Sequence, residues 1–155
     1  MISSIILSFL GLIVGIILAN YTKEELKTGK KYFIILYKFI LFITIIYSLF
    51  LSELNYYLFG AILGIISFIF LRNIYLYLGL LIFSTLNLYM FYLVFLFGLP
   101  YGSLIYSKKN LRNIVLNSFI WFVAAALILL VDINQTFLLS FSAGALFMAF
   151  LKRIH

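Results

Sequence analysis

From Ile2 to Ala19 the chain runs eighteen residues without a charge. A stretch of that length and character is what an α-helix needs to cross the roughly 30 Å hydrocarbon core of a bilayer. The pattern recurs at Tyr32–Leu51, Tyr56–Leu71, Ile74–Phe97, Ile114–Val131 and Thr136–Leu151. Only 10% of the residues are charged and 66% are hydrophobic, against roughly 25% charged in a soluble domain. A water-soluble fold cannot cover that much apolar surface. The expected class is all-α: one polytopic transmembrane helical bundle over residues 1–155, with about six spans. Ile2–Ala19 has no basic leader and no Ala-x-Ala site, so it reads as a retained helix rather than a signal peptide.

Charge is confined to the gaps between these runs. Asn20–Tyr32 holds six of the fifteen Lys, Arg, Asp and Glu residues. Thr22 and Glu25 have capping-box spacing, and Gly29 is a plausible C-terminal stop. The expectation is a solvated loop with a capped next helix, or a short helical turn over Lys23–Thr28 lying at the membrane surface. Lys23, Lys27, Lys30 and Lys31 are candidate contacts for anionic lipid headgroups, each worth about 1 kcal/mol near such a surface. The net charge of +7 does not point to nucleic acid, because the basic residues flank apolar spans instead of lining one soluble face. Lys38 lies inside the second span, about 10 Å along the helix from Lys31. From there its ammonium can snorkel to the interface. The tyrosines gather near span ends, as an interfacial belt requires.

Small and polar residues within the spans carry the remaining signals. Gly11 with Gly15, and Gly60 with Gly64, are GxxxG pairs that let another helix approach closely. Thr44, Ser48, Ser84, Asn87, Asn117 and Ser140 are candidates for a polar path. Asn87 falls mid-span, where its amide needs a partner. Gly98-Leu-Pro-Tyr-Gly102 is the strongest break, since Pro100 has no amide hydrogen and crowds the carbonyl four residues back. It predicts that the fourth span ends near Gly98 and that Tyr101–Asn113 lies at the interface or is tucked against the bundle rather than continuing the helix.

The two halves share a layout of span, basic loop, span, acidic loop, short span and basic residue, a possible 3+3 repeat. Six crossings place Lys23, Lys27, Lys30, Lys31, Lys38 and Arg72 on one side. The other side then receives Lys108, Lys109, Arg112, Lys152 and Arg153, which leaves almost no bias under the positive-inside rule. An extra crossing between Asn73 and Ser107 brings all eleven cations to one side, with Glu53 and Asp132 opposite. Seven spans, or six with a re-entrant segment, are therefore the alternatives, and both orientations in one membrane are a third.

Catalytic signals are missing. With no cysteine there is no thiol or disulfide chemistry. The four acids sit at span ends, and the single histidine is His155. There is no HExxH, carboxylate dyad or Ser–His pattern. No enzyme, cofactor or metal is expected. One reading is a small solute or ion permease whose span hydroxyls and amides line a path. The other is a non-catalytic membrane subunit or scaffold that uses its glycine faces and basic loop to bind partner helices or lipid. Expected partners are the lipid bilayer, anionic headgroups, and a second copy or another membrane subunit. The expected location is the cell membrane of a prokaryote.

Overall fold

Backbone groups in hydrocarbon have no water to bond, so an apolar run must close its hydrogen bonds within itself. A computed structural model of the chain describes residues 2–52, 57–106, 108, 110–128 and 133–152. Among them are seven helices and no strand: α1 (Ile2–Tyr21), α2 (Lys23–Leu51), α3 (Tyr57–Phe70), α4 (Ile74–Thr85), α5 (Leu88–Ile105), α6 (Leu111–Ile128) and α7 (Gln135–Leu151). Three are long and apolar enough to cross a membrane: α2 from Thr28, α5 and α6. The other four are apolar and shorter over their described residues.

The seventh helix arises because the fourth apolar run divides, and it divides at Leu86 rather than at Gly98. Leu86 turns left-handed at φ 48, and its amide donates to the Ile82 carbonyl at 2.8 Å. The Asn87 side chain then accepts from the Tyr89 amide at 3.0 Å and starts α5. Asn73 does the same for α4 through Tyr75, and Asn134 for α7 through Thr136. An N-cap of this kind satisfies an amide the helix itself cannot. Pro100, by contrast, lies buried inside a continuous α5, and the expected break at Gly98–Gly102 is absent. Glycine and proline are tolerated in a buried helix when a neighbouring helix packs against the irregular turn.

The Asn20–Tyr32 stretch also differs from expectation. It is no loop with a separate short helix: α2 starts at Lys23 and runs 29 residues, straight past Gly29. At ~1.5 Å per residue that is ~43 Å, longer than the ~30 Å needed to cross a hydrocarbon core. Thr22 does not cap α2; its hydroxyl donates back to the Leu18 carbonyl at 3.1 Å. The Glu25 side chain lies outside the described residues.

Close glycine contacts pair the helices. α1 and α5 run parallel, for Gly11 abuts the Phe95 carbonyl, Gly15 the Leu99 carbonyl, and Asn20 meets Tyr106. α3 and α7 also run parallel, with Gly60 on Ser140, Gly64 on Phe141 and Gly144 on Ala61. α2 is antiparallel to α5, with Tyr37 on Tyr101 and Tyr47 bonded to Asn87. It also packs on α7, where Phe42 meets Phe150. α4 occupies the centre and packs on α6 and α7; Tyr75 through Ile82 are all buried. Three helices, then α4, then three more make up the chain. The first helices of the two halves pair in parallel, and so do the third, which replaces the opposed halves of the 3+3 layout.

Helix direction therefore alternates along the chain. The α1–α2 junction, the α3–α4 turn, the α5–α6 connection and the end of α7 share one end of the bundle. Every described Lys and Arg other than Lys38 lies in those four places. The connections that carry Glu53 and Asp132 fall outside the described residues.

Candidate functional site

The start of α2 presents Lys23, Leu26, Lys30 and Phe33 on one stripe, at spacings of three, four and three residues. That stripe faces Ser103, Leu104 and Tyr106 at the end of α5, and together they line a cleft of about 310 Å³. The Lys23 ammonium lies 5.9 Å from the centre of the Tyr106 ring. The Tyr106 hydroxyl donates to the Asn20 side-chain oxygen at 2.7 Å, which ties the end of α5 to the end of α1. Ser103 is turned away: its hydroxyl is shared between the Gly15 and Leu99 carbonyls, each at 3.1 Å. The two ammonium groups are thus the polar hydrogens open to the cleft. Among the described residues, neither Lys23 nor Lys30 has an ion-pair partner, and Glu24 is not in the lining. Phe33 also borders a second groove, of about 590 Å³, which continues along α2 past Tyr32, Ile35, Leu36 and Phe39.

The other cations flank this place. The Lys31 ammonium sits 5.0 Å from the centre of its neighbour Tyr32 and outside the cleft. Lys27 is on α2, with its side chain outside the described residues. Lys38 is half-buried, its ammonium 5.3 Å from the Phe150 ring centre near the end of α7. Phe150 lies two residues before Lys152 at the end of α7.

The six polar span residues do not share one surface. Thr44, Ser48, Ser84 and Ser140 are buried, and each hydroxyl donates within its own helix, to Ile40, Ile45, Leu81 and Phe137. Back-bonding of this kind satisfies the hydroxyl and leaves its hydrogen unavailable to a solute. Asn87 lies at the far end, where it caps α5 and donates to the Tyr47 hydroxyl at 3.0 Å. Asn117 is exposed on α6, while its neighbour Ser118 is buried.

Glycine faces and tyrosines are used inside the bundle. A Cβ on Gly11, Gly15, Gly60 or Gly64 would strike another helix of this same chain. Gly98 and Gly102, which sequence reasoning assigned to a break, complete the α5 side of the α1 contact; their four-residue spacing was the overlooked signal. Tyr37, Tyr75 and Tyr77 are fully buried rather than interfacial, whereas Tyr21, Tyr32, Tyr89 and Tyr92 are exposed. Tyr37, Tyr75, Phe97 and Tyr101 form one aromatic cluster with ring centres 5.1–6.2 Å apart. The Tyr75 and Ser142 hydroxyls are buried without a partner.

Among the described residues no cluster of His, Cys, Asp and Glu could hold a metal ion. Comparison with protein-family models, curated proteins and solved structures finds no match to this chain.

Proposed function

We propose that this is a seven-crossing integral membrane protein with its cationic end in the cytoplasm, acting as a non-catalytic helical subunit that presents that end to lipid or a partner. One observation carries the reading: four separate segments bring their cations to the same end of the bundle. An orientation with Lys and Arg inside is the one membranes favour. The short helices are compatible with it. α4 has 12 residues, only ~18 Å of helix, but protein surrounds it, and irregular backbone is tolerated at membrane depth when buried in protein. The closed hydroxyls of Thr44, Ser48, Ser84 and Ser140 favour a dry bundle over a solute path.

Cysteine labelling tests the orientation, and the absence of native cysteine leaves no background. Lys31→Cys, Arg112→Cys and Lys152→Cys should react with an impermeant maleimide only after intact cells are opened. Gln135→Cys should react from outside. Labelling of Lys31→Cys and Arg112→Cys from opposite sides would restore six crossings. Solute flux in proteoliposomes that is lost in a folded Ser140→Ala variant would favour the permease instead.

A further inference from the structure

We infer that the cleft between the start of α2 and the end of α5 binds the phosphate of an anionic phospholipid, with one acyl chain lying along the groove beside Phe33. The inference deepens the lipid-contact part of the reading above, and it stands whichever side of the membrane this end faces.

Three observations converge on that ligand. Lys23 and Lys30 lie two helical turns, about 10 Å, apart on one face of α2, and their flexible side chains can bring both ammonium groups toward a phosphate held between them. Neither has an ion-pair partner among the described residues. Polarity then changes across a single side chain. Phe33 belongs to both the basic cleft and the apolar groove. Tyr32, Ile35, Leu36 and Phe39 of that groove are 46–64% exposed. A free phosphate has no use for such a surface, whereas a phospholipid joins a phosphate to hydrocarbon within one molecule. The location also fits. The charged turns overhang the ~30 Å that hydrocarbon requires, and headgroups occupy that layer. Tyr106 walls the cleft and is held in place by Asn20, so the site is partly formed before lipid arrives.

Native mass spectrometry of the protein released from phosphatidylcholine nanodiscs doped with phosphatidylglycerol tests this. The wild type should retain phosphatidylglycerol preferentially. Neutralising one lysine should reduce that preference about fivefold, and Lys23→Gln with Lys30→Gln about thirtyfold. Arg112→Gln with Lys152→Gln removes the same charge from the same end outside the cleft and should retain the wild-type preference. Lys23→Arg with Lys30→Arg should retain it too, and it serves where the Gln variant fails to fold. Equal losses in the cleft and control variants would mean general surface attraction and overturn the site, as would no loss in either. Inorganic phosphate that displaces the lipid at matching concentration would also overturn the lipid assignment. Cysteine labelling on the unexpected side would sink the orientation and leave these outcomes unchanged.

Discussion

Tyr75 and Tyr77 lie two residues apart on α4 and both are fully buried, yet their hydroxyls differ. Tyr77 shares a hydrogen bond with Ser67 at 3.0 Å and donates to the Leu71 carbonyl at 3.2 Å, pinning the end of α3 to α4. The Tyr75 hydroxyl has no partner. A polar group buried without a bond costs about 1–3 kcal/mol, while a side-chain bond inside a membrane bundle contributes about 0.6 on average. Tyr75→Phe should therefore be neutral or raise stability by about 1 kcal/mol. Tyr77→Phe should lower it by about 0.6–1.5 kcal/mol. Unfolding in denaturing detergent, followed through the fluorescence of the single Trp121, measures both. A destabilised Tyr75→Phe would mean that its hydroxyl bonds in the membrane.

At the scale of the element, the α1–α5 pair depends on four glycines, two from each helix. The backbones approach so closely that a side chain on any of them meets the partner's main chain. Gly15→Val should cost at least about 1–3 kcal/mol, the range for overfilling a packed site. Pro100 lies between Gly98 and Gly102 in that contact. It withholds the amide that the Leu96 carbonyl would otherwise accept. Pro100→Ala restores that bond, so α5 should persist and stability should hold or rise in the same detergent titration. Loss of the fold in Pro100→Ala with tolerance of Gly15→Val would reverse this account of the pair.

For the whole molecule, the proposed orientation rests on charge in four separated segments, a distribution that would make it robust. Replacing Lys108, Lys109 and Arg112 with Gln leaves cations at the α1–α2 junction, at Arg72 and at the end of α7. A seven-crossing chain should keep its orientation, because the remaining bias points the same way. A six-crossing chain, balanced six against five, would be tipped by the same change. A reporter fused after His155 reads the outcome: a C-terminus that stays cytoplasmic supports seven crossings, and an external or mixed one opposes them.

Much of this was present along the chain itself. Long, uncharged apolar runs determine an all-helical chain with three helices long and apolar enough to cross a membrane, since helices satisfy the backbone where water is absent. The asparagine ahead of an apolar stretch at 73, 87 and 134 marks a helix start; at Ser84-Thr85-Leu86-Asn87 the apolar run around it made Asn87 read as a mid-span amide rather than a turn. The lysines of the cleft were visible as a group, but their selection was not: Lys23 and Lys30 line it while Lys31 faces out, because only contact with α5 distinguishes one face of α2 from another. The same holds for Gly98-Leu-Pro-Tyr-Gly102. Alone it is a helix breaker; against Gly11 and Gly15 it is a packing surface. Hydrophobicity and capping act within a few residues and can be read from order alone. Whether proline interrupts a helix, whether a tyrosine is buried and which ammonium groups share a cleft depend on a neighbour more than eighty residues distant in the α1–α5 pair, and only the packed helices supply it.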